Sequence, residues 1–151
     1  LAQYLEAAKD TKVHLVLELK PHATPEAETA AAEAVVKMVG RYGLSKRVTY
    51  ISFSLHIMKE LARLAPAKTQ LMYLGGGTLP KDLKAMGLTG CDFNYGVYLN
   101  NPTWLNDIKA LKMASNVWTV NNPADMMWAI ENRVDNITTD RPDLFLKLTR
   151  K

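Results

Sequence analysis

The stretch LVLELKPH, residues 15–22, combines the apolar pattern of a buried strand with two charged side chains near its end. Side chains alternate between the two faces of a strand, so the leucines share one face while Glu18 and Lys20 share the other. In parallel α/β folds, ligands bind at the carboxyl ends of the strands. The stretch therefore predicts a strand that presents a carboxylate and an ammonium group side by side at a ligand site.

Two interpretations of the Glu18–Lys20 pair are open at this point. In the structural one, the two side chains form an ion pair and satisfy each other at the end of the strand. In the functional one, the carboxylate binds Mg²⁺ or Ca²⁺, which prefer oxygen ligands, and the ammonium group contacts a phosphate oxygen. The functional interpretation needs a ligand between the two groups, because an unpaired buried charge is costly.

Strand-like and helix-like patterns alternate along the whole chain. Six apolar segments predict strands, at 13–20, 48–54, 69–74, 91–95, 116–120 and 136–140. Amphipathic segments between them predict helices, including 25–43, 55–65 and 122–131. Thr24-Pro25 and Asn122-Pro123 each have the form of an N-cap followed by proline at the first helical position. This alternation predicts an α/β fold with a parallel sheet.

The strand count leaves two architectures open. An open doubly wound sheet fits six strands, whereas a closed (β/α)8 barrel has eight. The polar strand ends favour the barrel. A chain of 151 residues is long enough for one domain with a real core, so residues 1–151 are expected to form a single domain.

Composition excludes several classes of protein. The net charge of +4 comes from scattered lysines and arginines, so we expect no nucleic-acid binding. The single cysteine, Cys91, cannot form an internal disulfide, and no apolar run approaches the length of a membrane span. Residues 1–10 form an amphipathic helix start without a leading Met, so we expect a fragment or a processed chain. The compartment is left open.

Four short motifs follow one another in a specific order. They are Glu-Leu-Lys-Pro at 18–21, Ser-Phe at 52–53, Trp-Thr-Val-Asn at 118–121 and Ile-Thr-Thr-Asp-Arg-Pro at 137–142. This ordered set resembles the glycerophosphodiester phosphodiesterase family over nearly the whole chain. The resemblance implies a TIM-barrel fold, of which this chain would hold about six of the eight β/α units as its C-terminal three-quarters.

The resemblance also implies an activity and a set of site residues. Members of this family hydrolyse glycerophosphodiesters to glycerol phosphate and an alcohol with the help of a divalent metal, here Mg²⁺ or Ca²⁺. By resemblance, Glu18 is a metal ligand and Lys20 is a catalytic residue that contacts the phosphate. Phe53 and Trp118 line the pocket for the glycerol or alcohol part, although core packing is the alternative role for Trp118.

Other motifs that the resemblance implies do not occur in the sequence. These are a His-Arg-Gly signature, a Glu-x-Asp pair that completes the metal site, and a His-Asp acid–base pair. We expect all three to precede Leu1. Two alternatives to an active enzyme therefore stay open: a catalytically incomplete fragment, and a non-catalytic barrel that binds a phosphate ligand. A barrel without two strands has open edges, which predicts a homo-oligomer or pairing through those edges.

The remaining candidate residues have mainly structural interpretations. His14 lies early on its strand, deep in or below the barrel. His22 and His56 could reach the barrel mouth, but a surface or hydrogen-bonded structural histidine is favoured for both. The glycine run LGGGT at 74–78 is interpreted as a flexible mouth loop rather than a phosphate cradle, since no Gly-Lys-Ser/Thr follows it. Asp140 is predicted to be a helix N-cap rather than a metal ligand.

Overall fold

Strands and helices alternate as the sequence predicts, except that two short helices follow one another between the fourth and fifth strands. The computed structural model describes residues 1–149. Within these residues the strands are β1 (Leu15–Glu18), β2 (Val48–Ser52), β3 (Gln70–Tyr73), β4 (Gly90–Asn94), β5 (Ala114–Trp118) and β6 (Asn136–Ile137). The helices are α1 (Ala2–Lys9), α2 (Pro25–Arg41), α3 (Leu55–Leu64), α4 (Pro80–Ala85), α5 (Tyr95–Asn100), α6 (Trp104–Ala110), α7 (Pro123–Glu131) and α8 (Pro142–Thr149).

The six strands form one parallel sheet in sequential order, from β1 at one edge to β6 at the other. Each strand pairs with the next one along the chain, beginning with Leu15 opposite Val48 and ending with Val117 opposite Ile137. This is the order of a barrel, because a doubly wound sheet reverses its strand order at a switch point. The sheet is therefore a half-barrel, and the count of eight units in a closed barrel stays a prediction.

The predicted helix caps are present. The Thr24 side chain accepts a hydrogen bond from the Ala27 amide at 3.3 Å, with Pro25 opening α2. The Asn122 side chain accepts one from the Asp125 amide at 2.9 Å at the start of α7. Capping side chains satisfy amides that have no partner inside a helix, so they fix where these helices begin.

Two features differ from the sequence prediction. Four strands are shorter than predicted, most of all β6, which spans Asn136–Ile137 instead of 136–140, whereas β4 and β5 have the predicted length and begin one and two residues earlier. This strand lies at the sheet edge and pairs with β5 alone, so few backbone hydrogen bonds extend it. The sequence pattern also does not predict α5 and α6, which are 6 and 7 residues long and too short to show a helical period.

The core lies between one face of the sheet and the helices. Five helices, α1, α2, α3, α4 and α7, contribute core residues that are each 0% exposed: Leu5, Val39, Ile57, Leu61, Leu83 and Met126. Leu15 and Tyr50 from β1 and β2 join the same buried cluster. The opposite face of the sheet is thereby left to line the interior of the half-barrel. Among the helices of residues 1–149, none has the length and apolar character that crossing a membrane requires.

Candidate active site

A pocket of about 290 Å³ lies at the carboxyl ends of the strands. Every strand, or the residues directly after it, contributes to its lining: Glu18, Lys20, Ile51, Phe53, Leu74, Asp92, Trp118, Thr119 and Thr138. The carboxyl ends of parallel strands meet at one edge of the sheet, which is why residues from distant parts of the chain meet here. The structure thus brings together all four residues that the sequence identifies as site candidates.

Glu18 and Lys20 point to the same side of the chain, as predicted. Lys20 Nζ lies 2.7 Å from Glu18 Oε1, within ion-pair and hydrogen-bond distance. The Lys20 side chain is 74% exposed and the Glu18 side chain 28%, so the lysine reaches outward from the pocket. This direct contact is the ion pair that the structural interpretation predicts. Both groups also line the same pocket, as the functional interpretation requires. The metal and catalytic roles of the two residues stay predictions.

Phe53 and Trp118 form an aromatic wall in the pocket. Their ring centroids are 5.8 Å apart with the planes at 88°, an edge-to-face geometry. The Trp118 indole N–H donates a hydrogen bond to the backbone oxygen of Asp92 at 2.9 Å, which fixes the ring against β4. Trp118 is half-buried and lines the pocket with one part of its ring. Neither aromatic residue is part of the core between sheet and helices.

Asp92 is the pocket residue that the sequence motifs do not reveal. Its side chain is 2% exposed, and Asp92 Oδ1 accepts a hydrogen bond from Asn116 Nδ2 at 2.5 Å. Asn116 Nδ2 also donates to Thr138 Oγ1 at 2.9 Å, so one amide links β4, β5 and the end of β6. Burial raises the pKa of the Asp92 carboxyl to about 6, against the Asn116 hydrogen bond that lowers it, and Glu18 raises it further. The feature of the sequence that could have indicated a role for Asp92 is that a carboxylate stands between the apolar residues Cys91 and Phe93 of a predicted strand.

The three histidines lie outside the pocket. His14 Nε2 is 2.8 Å from Thr49 Oγ1 at the amino ends of the strands, as its early position predicts. His56 Nε2 is 2.9 Å from Thr29 Oγ1, a contact between α3 and α2. The His22 backbone amide donates to Glu28 Oε1 at 3.2 Å. The hydrogen bonds of His14 and His56 agree with the structural interpretation of these residues.

Glu28 connects two loops at the mouth of the pocket. It lies on α2 with 7% exposure and accepts hydrogen bonds from the His22 amide at 3.2 Å and from Ser54 Oγ at 2.7 Å. His22 belongs to the loop that follows Lys20, and Ser54 follows Phe53 and caps α3. A buried carboxylate therefore holds together the two chain segments that carry three of the four candidate residues.

Two further predictions concern Asp140 and the glycine run at 74–78; the structure tests the first, and the flexibility of the glycine run stays a prediction. Asp140 is not an N-cap: the Arg141 carbonyl accepts the first helical bond of α8 from Phe145, and Asp140 Oδ2 accepts from Asn121 Nδ2 at 2.8 Å. The glycine run packs tightly at two positions. A Cβ at Gly75 would lie 2.5 Å from the Tyr73 hydroxyl, and one at Gly76 would lie 2.4 Å from Val97 Cγ2. Close packing thus accounts for Gly75 and Gly76, independently of any phosphate.

A larger cavity of about 710 Å³ lies at the opposite end of the sheet. Its lining includes His14, Lys46, Lys68 and Lys112, and among the described residues it contains no carboxylate. It therefore holds none of the candidate site residues. The smaller pocket at the carboxyl ends of the strands is the better candidate because acidic, basic and aromatic groups meet there.

The metal donors in the pocket are few. Within residues 1–149, no group of three or more His, Cys, Asp or Glu side chains is placed to hold a metal ion. Glu18 and Asp92 are the carboxylates that line the pocket, and carboxylate oxygen fits Mg²⁺ and Ca²⁺. The donor type thus fits these cations, whereas the described residues supply only part of a coordination shell.

Comparison with known proteins identifies the relationship. The sequence model of the "Glycerophosphoryl diester phosphodiesterase family" matches residues 1–144. The chain belongs to this family. The match covers all six strands and the pocket, so the predicted resemblance is confirmed for the family as a whole.

Individual relatives in the glycerophosphodiester phosphodiesterase family agree. A crystal structure of such an enzyme from Parabacteroides distasonis ATCC 8503 has 46% identity and a TM-score of 0.94, over 97% of this chain and 62% of that one. A curated glycerophosphodiester phosphodiesterase from Caldanaerobacter subterraneus subsp. tengcongensis is 29% identical over 124 residues, 79% of this chain and 49% of the relative. An Oleispira antarctica phosphodiesterase, solved with its product sn-glycerol-3-phosphate, shares the fold at 18% identity and a TM-score of 0.83, over 97% of this chain and 59% of that one. The chain thus spans about half to three-fifths of the length of these three proteins.

Proposed function

We propose that the protein containing this chain hydrolyses glycerophosphodiesters to glycerol phosphate and an alcohol, with a divalent metal, Mg²⁺ or Ca²⁺. The observation that carries the proposal is the convergence of Glu18, Lys20, Phe53 and Trp118 on one pocket at the carboxyl ends of the strands. Family membership supports the reaction class. We further propose that residues 1–151 form one domain that contributes about six of the eight units of a TIM barrel.

Lys20 would bind the phosphodiester group. Its side chain is 74% exposed and can leave Glu18 to contact a phosphate oxygen at little cost, because exposed ion pairs are weak. In the reaction, a water oxygen bonds to phosphorus, the ester P–O bond breaks, and the alcohol leaves with a proton. A fixed positive charge stabilises the additional negative charge that gathers on the phosphoryl oxygens in the transition state. The Phe53–Trp118 wall would pack against the carbon atoms of the glycerol or alcohol part.

Glu18 would be one ligand of the divalent metal. A bound Mg²⁺ or Ca²⁺ supplies positive charge that polarises the phosphoryl oxygens. Lys20 engaged with a phosphate would leave Glu18 Oε1 without its present partner, so that both carboxylate oxygens could bind the metal. The other ligands would come from outside the described residues or from water.

The test is the variant Glu18→Gln in the full-length protein. It keeps the shape of the side chain and removes its charge, so metal affinity should fall by about 10-fold or more and turnover of a glycerophosphodiester should fall with it. Turnover should also stop when the metal is chelated, and return when Mg²⁺ or Ca²⁺ is added back. Glu131→Gln, at the exposed end of α7, is the matched control and should leave both readouts unchanged. Full activity of the Glu18→Gln protein would overturn the assignment.

A second function is favoured for the 151-residue chain by itself. The described residues gather fewer than three metal donors, and no histidine among them lines the pocket for proton transfer. The chain alone would then bind a phosphate ligand without turning it over. Calorimetry with glycerol phosphate and an assay with added Mg²⁺ or Ca²⁺ separate the two cases, since turnover by the chain alone contradicts this second proposal.

A further inference from the structure

Asp92 has one carboxylate oxygen that is left for a ligand. Oδ1 accepts the hydrogen bond from Asn116, and within residues 1–149 no donor contacts Oδ2. Over the same residues, no fully buried side-chain oxygen or nitrogen lacks a hydrogen-bond partner. Oδ2 therefore reaches the pocket, which Asp92 lines, although the residue as a whole is 98% buried given its 2% exposure.

The amide, indole and ammonium donors nearest to Asp92 are engaged elsewhere. Asn116 Nδ2 donates to both Asp92 Oδ1 and Thr138 Oγ1, so both of its hydrogens are used and the amide is fixed in orientation. The Trp118 indole N–H donates to the backbone oxygen of Asp92 and not to the side chain. Lys20, the cation of the pocket, pairs with Glu18. Oδ2 opens onto the pocket from a residue that is otherwise almost fully buried, and it has no donor from the protein, so a ligand that brings a donor gains a hydrogen bond to a charged group.

The neighbouring groups indicate what kind of donor fits. Ile51, Leu74 and the Trp118 ring line the same pocket, so the ligand presents carbon atoms next to the donor. A hydroxyl on a short carbon chain has this character and needs no counter-charge. Glycerol, the constant part of the substrate class proposed above, carries such hydroxyls.

We propose that Asp92 is a specificity-determining residue that accepts a hydrogen bond from a hydroxyl of the glycerol part of the substrate. This inference rests on the proposed function of the same pocket. It predicts that the enzyme prefers a glycerol ester over an ester that lacks the hydroxyl, since a site built to bind a hydroxyl leaves its own polar group unpaired with the deoxy analogue.

The test compares substrates rather than activity alone. The full-length protein is assayed with the ethyl ester of glycerol phosphate and with the two analogues in which one or the other glycerol hydroxyl is replaced by hydrogen. The wild type should prefer the glycerol ester over one analogue by about 10- to 100-fold in kcat/KM, the range for hydrogen bonds to charged groups. In Asp92→Leu this ratio should fall to about 2-fold or less. The proposal is overturned if the wild type shows no preference for the glycerol ester over either analogue, or if Asp92→Leu keeps the wild-type preference.

A second variant covers the case in which Asp92→Leu fails to fold. Asp92→Asn keeps the shape and removes the charge, and its substrate ratio should fall at least about 3-fold. The matched control is Asp135→Asn, at the amino end of β6, where the carboxylate accepts hydrogen bonds from Ser115 instead of lining the pocket. The control should keep the wild-type ratio, and an Asp92→Asn protein with that same ratio contradicts the proposal.

A binding measurement separates this inference from the proposed function. Titration of glycerol phosphate and propyl phosphate into the wild type and the Asp92 variants needs no turnover. An Asp92-dependent preference for glycerol phosphate supports the inference even if the wild type hydrolyses no diester, a result that would defeat only the proposed function. The same preference in all variants would overturn the inference while leaving hydrolysis intact. Since these ligands have no leaving alcohol, the result also assigns the hydroxyl to the glycerol side.

Discussion

Asp92 makes the stability of the protein depend on pH. Burial raises the pKa of its carboxyl from 3.8 to about 6, with Glu18 as the facing negative charge and Lys20 paired to Glu18. The folded state therefore binds the proton more tightly than the unfolded chain, so this stabilisation is present below pH 3.8 and is lost as the pH rises through about 6. This difference in pKa between the folded and unfolded states corresponds to about 3 kcal/mol of free energy of unfolding. Between about pH 4 and about pH 7, we expect the wild type to lose free energy of unfolding relative to Asp92→Asn, as measured by denaturant titration. Parallel pH profiles of the two proteins would contradict this.

Lys20 allows the structural and functional interpretations of the Glu18–Lys20 pair to be separated. The lysine is 74% exposed, so Lys20→Met should change the free energy of unfolding by less than about 1 kcal/mol. Binding of glycerol phosphate should fall by about 10-fold or more, because the charge that contacts the phosphate is gone. Urea unfolding and calorimetry measure the two effects, with the exposed Lys37 of α2, changed to Met, as the control. Equal glycerol phosphate affinity in both variants would leave only the structural interpretation.

At the residue scale, the sequence predicts a side chain when its position follows from local periodicity. Glu18 and Lys20 directly end an aliphatic run, so the alternation of a strand places them on one side. Asp92 stands in a segment of ordinary strand composition, and its importance comes from a hydrogen bond to Asn116, which is 24 residues away along the chain. Contacts of this range depend on strand register, which periodicity does not specify.

At the element scale, Glu28 has a greater role than its position on an amphipathic helix predicts. Removing it in Glu28→Ala leaves the His22 amide and the Ser54 hydroxyl without their acceptor, which should lower the free energy of unfolding by about 1–3 kcal/mol. The loop after Lys20 should then exchange its amide hydrogens faster. Glu33→Ala, an exposed position on the same helix, should change the free energy of unfolding by less than about 0.5 kcal/mol. Equal effects of both variants would show that Glu28 does not hold the loops.

Helix starts are predicted better than helix counts, for a local physical reason. Thr24 and Asn122 accept hydrogen bonds from backbone amides within 3 residues of their own position, so the short sequence around each of them is enough to predict the cap. The 6 residues of α5 and the 7 of α6 complete too few turns for a periodic pattern. Instead these helices depend on contacts with distant parts of the chain. Tyr98 of α5 donates a hydrogen bond to the Asn116 backbone oxygen at 2.9 Å, and Trp104 and Ile108 of α6 are buried in the core.

At the scale of the whole molecule, the sheet order follows from the sequence but closure does not. Strand–helix alternation with short connections predicts that each parallel strand lies next to its neighbour in the chain. The same pattern is compatible with an open sheet and with a barrel. The half-barrel in the structure has β1 and β6 at its edges, and such edges offer unpaired backbone groups to other strands.

The β1 edge carries an apolar surface that predicts self-association of the 151-residue chain when it is expressed alone. Leu1, Tyr4 and Val16 are 52%, 66% and 58% exposed and line one groove beside β1. An exposed strand edge with adjacent apolar side chains favours pairing with a second copy. Sedimentation velocity should therefore show an average mass that rises with protein concentration.

Val16→Lys tests the location of this contact. A lysine on an edge strand opposes pairing, so the variant should shift the chain toward monomer at a given concentration. Met127→Lys introduces the same charge at a 38% exposed position of α7, the helix between β5 and β6 at the other end of the strand order from β1, and should sediment like the wild type. If the wild type remains a monomer at all concentrations, or if both variants dissociate it equally, then the β1 edge is not the site of association.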